Sequence, residues 1–440
     1  MKQTNIKNIA IALAGSLLLQ GSAYAQETVS PAAPYRGLSF LKNAVVHVGN
    51  GTVIPNATIQ IRDGKIYQIA PDMPIPMDDV RVYDMKGKHV YPGLILSNSQ
   101  LGLLEVPSVR ATVDNSELGE LNPSIRSIVA YNTDSKVINT LRSNGILLAN
   151  VVPAGGVISG SASVVQLDAW TWEDAAYQMD HGLVLNMPAL FNRPSRFGGF
   201  GGNPNPTDPV KEGLETVERM KTFFREAKAY YEEPKHANSN LKFEAVKGLF
   251  NKKQKLYVNA NIVRQMLVAI DFVKEFGFDV VIVGGSDSWQ IAPLLKQYNI
   301  AVILQQQHSL PTMEDDDVDM PYKAATALQN AGVLYAINDE DGQTRGRNLP
   351  FNAGTAVAYG LTKEQALQAI TLNPARILGI ADRTGSIEVG KDANLVVSEG
   401  DILDMRSSKI TDAFIQGRKI DLTDKHKQLN QKYQQYYQLK

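Results

Sequence analysis

From Leu38 to Val90 the chain alternates apolar and polar positions in short runs rich in Val and Ile, broken by Gly49-Asn50-Gly51-Thr52 and by Asp63-Gly64. Such turns between period-2 runs are hairpin signals, so the segment is expected to form a small antiparallel sheet. After Pro92-Gly93 the rhythm changes. A strand opens at Leu94, and continuous apolar runs follow at 145–153, 182–190, 255–261, 278–285, 299–306 and 332–339. Between them, stretches such as 210–233 and 262–277 repeat apolar residues at three and four positions, the spacing of one helical face. About seven strands of a repeating βα unit favour a parallel barrel covered by helices, with an open doubly wound sheet as the alternative. From 385 to 421 Gly and Asp turns punctuate short strands again, which predicts that the two ends of the chain pair into one accessory sheet. Residues 422–440 are polar and are expected to be a surface helix or a frayed tail.

Composition narrows the classes. The chain has 440 residues and a formal net charge of -1, with no basic stripe and no acidic tail, so nucleic acid and anionic lipid are not expected partners. Residues 1–25 have a Lys-bearing start, an apolar stretch from Ile9 to Leu19 and Ala23-Tyr24-Ala25 before Gln26, the pattern of a secretory signal cleaved after Ala25. Its apolar stretch is too short to cross about 30 Å of hydrocarbon, and no later run is long enough to span. An exported product without a membrane span is therefore expected. Cysteine is absent, which removes disulfides, thiolate metal ligands and a Cys nucleophile.

Several segments invite a chemical reading. The insert 191–209, rich in Gly, Pro and Asn, is either a lid carrying Arg193, Arg196, Phe197 and Phe200 or an irregular connector. Residues 154–163, "AGGVISGSAS", follow a strand and offer backbone N–H groups to a phosphate, although GxGxxG and a following Lys-Thr are both missing. His308 stands just after a strand, as an acid or base in the pocket or as a surface-loop residue. Glu314 to Asp317 read as a solvated acidic face more readily than as a cation site. Asp339, Glu340 and Asp341 with Arg345 and Arg347 form either a mouth site or an ion-paired loop.

The order of a β module with "DGKI", a "PGLI" strand, a barrel pattern and then "ITLNPARILGIADRTGSIEVGKDANLVV" resembles the amidohydrolase superfamily, especially exported imidazolonepropionase-like members. The resemblance covers roughly residues 38–420. It implies a (β/α)8 TIM-type barrel over 91–379, a composite β-sandwich from 38–90 and 380–421, and a family reaction in which metal-bound hydroxide attacks a non-peptide C–N bond. The family's usual setting implies the periplasm. In the family, "PGLI" is followed by Asp and His-x-His. Here Leu96, Asn98 and Gln100 occupy those places, Asn259 stands where a His is usual, and Gly284 or Gly285 stands at the next His position. Asp339 matches the catalytic Asp, and no Lys lies within 182–190.

These substitutions set the functional expectation. Zinc-type ions are held by imidazoles and anions, whereas Asn and Gln offer a neutral carbonyl oxygen. A bound zinc lowers the pKa of its water from about 15.7 to about 7, roughly 12 kcal/mol of activation that one Asp does not supply. No metal cofactor is therefore expected. Asn98, Gln100, Asn259 and Asp339 are expected either to bind a small polar ligand or to satisfy one another and buried water. The first reading is an impaired amidohydrolase relative, acting as a ligand-binding protein, a homo-oligomer or the partner of an active relative. The alternative is a hydrolase of cyclic amides or related C–N bonds in which Asp339, with His308, activates water without metal.

Overall fold

The computed structural model describes residues 29–71, 73–77, 79–191, 208–305, 307–311, 315–339 and 345–439. The expected signal segment, most of the insert at 191–209 with its four named side chains, Glu314, Glu340 and Asp341 lie outside them.

The first strands are β1 (Leu38–His47), β2 (Val53–Arg62), β3 (Lys65–Ala70), β4 (Val80–Asp84) and β5 (His89–Pro92). The barrel strands follow as β6 (Leu94–Ser99), β7 (Ile146–Val151), β8 (Ile158–Gln166), β9 (Ala176–Asn186), β10 (Lys255–Ala260), β11 (Val280–Gly284), β12 (Ala301–Leu304) and β13 (Tyr335–Ile337). The last three are β14 (Leu395–Ser398), β15 (Ile410–Ile415) and β16 (Arg418–Lys419). Helices are α1 (Lys136–Arg142), α2 (Trp172–Ala175), α3 (Pro209–Glu232), α4 (Leu241–Phe250), α5 (Val263–Phe276), α6 (Ala292–Gln297), α7 (Met320–Asn330), α8 (Leu349–Ala358), α9 (Lys363–Gln368), α10 (Leu372–Leu378) and α11 (Lys425–Tyr436).

The two ends of the chain do meet in one sheet, in the order β16-β15-β14-β5-β1-β2-β3, with β4 also on β1. The joint is antiparallel, Leu395 opposite Pro92 and Val397 opposite Val90. Alternation buries Leu41, Ile59, Ile61, Val90, Leu395, Val397 and Phe414 in a core of their own.

The second sheet runs β13-β12-β11-β10-β9-β8-β7-β6, an almost closed eight-stranded barrel. Its helices bury the expected stripe: α3, capped by the Asp208 carboxylate, turns Val217, Met220, Phe224 and Ala227 inward at three- and four-residue spacing. In one strand the barrel departs from the expected parallel order. β8 pairs antiparallel with both β7 and β9, and it occupies most of the segment read as a phosphate cradle. After a turn at Gly155 and Gly156 the chain reverses, and all nine residues of β8 are buried. The cradle is overturned because its backbone groups pair in the sheet. Ser161, Ser163 and Gly160 hide the strand from an apolar-run reading. Gly160 (φ 135°) is needed there, since a Cβ would lie 2.5 Å from the Ile125 carbonyl oxygen of the loop that pairs across β8.

The barrel is plugged at the start of its strands. Ile95 N–H donates to Ile370 O, and Lys255 Nζ to Ile377 O at the end of α10. The residues at the opposite ends of these strands form the mouth.

Candidate functional site at the barrel mouth

Asn98 lies one residue from the end of β6 and Gln100 just follows it, Asn259 lies one residue from the end of β10, and Asp339 follows β13 by two residues, so all four predicted positions reach the same rim. They arrive in separate groups. Asn115 Nδ2 donates to Gln100 Oε1 at 2.7 Å, using the loop after β6. Asn259 Nδ2 donates to Asn186 Oδ1 at 2.7 Å, and Asn186 Nδ2 donates onward to Ser159 Oγ and the Gly156 carbonyl, both at 2.9 Å. Amide pairs on adjacent, in-register strands thus satisfy much of one another's hydrogen bonding.

Asp339 is 4% exposed and faces a cavity of about 150 Å³ lined also by His308, Arg345, Asn348 and Asn352. The loop after β12 brings His308 there, and Thr355 of α8 orients it, with Nε2 2.7 Å from Thr355 Oγ1. Spacing alone could not show that two loops 31 positions apart meet; their adjacency follows from the neighbouring strands β12 and β13. A carboxylate, an imidazole and a guanidinium around one small cavity can hold a polar ligand and move a proton.

Asn338, which the sequence reading passed over, is fully buried. Its Oδ1 accepts from the Asn98 backbone N–H at 3.1 Å and its Nδ2 donates to the Asn98 carbonyl at 2.9 Å. The side-chain amide therefore imitates a peptide rung across the β13–β6 seam. Nothing in the string "AIND" marks this role, because it depends on how the barrel closes.

The remaining histidines lie elsewhere. His181 is buried among β7, β9 and β10: its Nε2–H donates to Asn150 Oδ1 at 2.9 Å, while Asn150 Nδ2 donates to the Ser97 carbonyl. The Tyr257 hydroxyl, 3.2 Å from Nδ1 and 3.3 Å from the Ile377 carbonyl, shares its one proton between two acceptors. Burial pushes the His181 pKa down to about 3, so the ring is neutral. His236 stacks on Tyr230 after α3, with ring centroids 3.6 Å apart. The acidic run is a solvated face in its described part, Asp317 and Asp319 pairing with Lys323. Arg347 of the expected ion-paired loop approaches His426 at 3.4 Å.

Among the described residues no three His, Asp or Glu side chains are placed to hold one metal ion. At the mouth the described donors are amides, one imidazole and one carboxylate, a set that does not fit a zinc-type ion. No described helix is long and apolar enough to cross a membrane.

The chain matches the Amidohydrolase family model over residues 293–422. It is 21% identical to amidohydrolase tasK of Hapsidospora irregularis over 393 residues, which is 80% of this chain and 38% of that protein. It is 33% identical to imidazolonepropionase of Flavobacterium johnsoniae over 85 residues, 19% of this chain and 21% of that enzyme. The chain thus spans well under half the length of these relatives. An amidohydrolase structure from Thermotoga maritima MSB8 superposes with a TM-score of 0.73 at 24% identity, covering 87% of this chain and 99% of that one, so the fold is shared. The family model and these relatives make residues 293–422 similar to amidohydrolases, imidazolonepropionases among them, and the structural neighbour shows the shared fold.

Proposed function

We propose that this protein is an amidohydrolase relative that keeps the barrel and its mouth as a site for a small polar ligand, with the family's metal-dependent hydrolysis lost or strongly impaired. The observation that carries this reading is the donor set: Asn98, Gln100, Asn186 and Asn259 offer neutral amides where a metal-dependent enzyme needs imidazoles and anions. Paired as Gln100–Asn115 and Asn259–Asn186, these amides are already oriented, which lowers the ordering cost of binding a ligand rich in hydrogen-bonding groups. Export through the amino-terminal signal, to the periplasm, belongs to the same reading, as does assembly with itself or with an active relative.

One observation favours a second reading. His308 and Asp339 share a cavity with Arg345, so a water between carboxylate and imidazole could be activated without metal against a reactive cyclic amide. Turnover of a panel of cyclic amides and dipeptides, by wild type and by Asp339→Asn, separates the two. The first reading expects no turnover above background and binding of a polar ligand that weakens in Asn259→Ala. Asp339-dependent turnover rejects it in favour of the second. Zinc held stoichiometrically at the mouth, and lost on substituting mouth residues, rejects both.

A further inference from the structure

The end of the barrel opposite the mouth holds a larger cavity than the mouth does. About 610 Å³ opens beside the first residues of β10, β11 and β12 and the approach to β13, against about 150 Å³ at the mouth. Its charge is one-sided: Lys252, Lys255, Lys296 and Arg376 line it, with Asp279 as the one carboxylate. In a chain whose formal net charge is -1, four cations around one hollow are a local concentration of positive charge.

Part of that charge is answered within the fold. Lys252 Nζ pairs with Asp279 Oδ1 at 2.9 Å and donates to the Gly277 carbonyl after α5. Lys255 Nζ donates to the Ile377 and Arg376 carbonyls at 2.6 and 3.3 Å, so its partners are neutral oxygens. That ammonium is half-buried, keeps one N–H unused and is bonded to no carboxylate among the described residues. Burial holds its pKa below the usual lysine value, and the charge of Asp279 does not make up the loss. A cation so placed gains from any anion that can reach it.

The other lining groups extend the argument. Lys296, in the last turn of α6, and Arg376, in α10, are exposed, and their side chains make no ion pair or hydrogen bond with a described residue. Asn373 lines the same cavity at 7% exposure, and its side-chain amide also lacks a hydrogen-bond partner among the described residues. Buried amides are ordinarily paired, so this one suits a partner that arrives from outside. A hollow of this volume takes a molecule of small-metabolite size. Lysines act in it as point charges on flexible stems, which select for charge density over planar fork geometry.

We propose that the closed end of the barrel binds a small polyvalent anion, a phosphate ester or a polycarboxylate, through Lys255, Lys296 and Arg376, with Asn373 as a neutral donor. The site is separate from the mouth and does not depend on what the mouth binds.

Pyrophosphate and citrate, titrated separately into the purified protein near neutral pH and followed by calorimetry, test this. At least one is expected to bind saturably at one equivalent and to raise the melting temperature as its concentration rises. Tighter binding of pyrophosphate assigns the site to phosphate esters, and tighter binding of citrate assigns it to polycarboxylates. The Lys296→Gln/Arg376→Gln double variant removes two side chains that bond to no described residue, so its melting temperature without ligand should match wild type. Its affinity is expected to fall about tenfold or more. Lys425→Gln/Lys432→Gln, on α11, removes the same charge elsewhere and should leave the affinity unchanged. Saturable binding of neither anion overturns the proposal. So does a cavity variant that binds as wild type does, or an α11 variant that loses as much affinity as the cavity variant.

Discussion

At the scale of single residues, the amides and histidines divide by how their polar atoms are satisfied. His181 is a neutral core histidine enclosed by Asn150 and Tyr257. Its pKa of about 3 in the fold lies below the unbound value of 6.5, so between these limits the unfolded chain takes up more protons than the native one. Stability contributed by this residue is therefore fully present above pH 6.5 and is lost as the pH falls toward 3. The loss amounts to a few kcal/mol, at about 1.36 kcal/mol per unit. Urea denaturation at several pH values should show this slope, and His181→Gln, which cannot titrate, should flatten it while lowering stability by about 1–3 kcal/mol at neutral pH. An unchanged slope in the variant would assign the acid sensitivity to other groups.

At the scale of elements, most strands were legible because an apolar run bounded by turns has few other uses. The runs at 255–261, 278–285 and 299–306 contain β10, β11 and β12. β8 was not legible, since the run from Ser159 to Ser163 of Gly, Ser and Ala interrupts its apolar residues and its direction depends on neighbours β7 and β9. The seam was equally hidden. β13 and β6 are joined through a side chain, so closure depends on Asn338 rather than on strand length. Asn338→Ala takes the side-chain partner from the half-buried N–H and C=O of Asn98 and should cost about 1–3 kcal/mol. Asn338→Asp should cost at least as much, because a carboxylate accepts from the N–H but repels the carbonyl. Hydrogen exchange should then rise selectively at the amides of β6 and β13. Uniform exchange across the barrel would show that the seam is not a separate weak point.

At the scale of the whole molecule, the string that carried the family resemblance is structural in this chain. Asp392 of "GKDAN" is 7% exposed and accepts from Tyr177 of β9 at 2.5 Å and from Lys65 of β3 at 2.8 Å, fastening barrel to sheet. Motif spacing made it readable, whereas its partners, over 200 positions away, were not. The same logic applies to Asp168, which no pattern singled out. This carboxylate is 1% exposed, pairs with Arg142 of α1, accepts from Arg418 of β16 at 3.2 Å and takes the Ala32 backbone N–H at 2.9 Å. It thus gathers the amino-terminal segment, the barrel layer and the last strand at one buried charge. The Arg142 side chain is 3% exposed and Arg418 11%, so removing the anion strands two guanidinium groups with little water to replace it. Asp168→Asn should therefore cost about 3–5 kcal/mol, well above a typical surface ion pair. The loss should appear first as detachment of the chain ends, with limited proteolysis cutting near residue 32 and after β16 before the barrel is attacked. Simultaneous loss of barrel and ends in the variant would mean that the two sheets unfold as one unit, and that Asp168 supports the core rather than joining its parts.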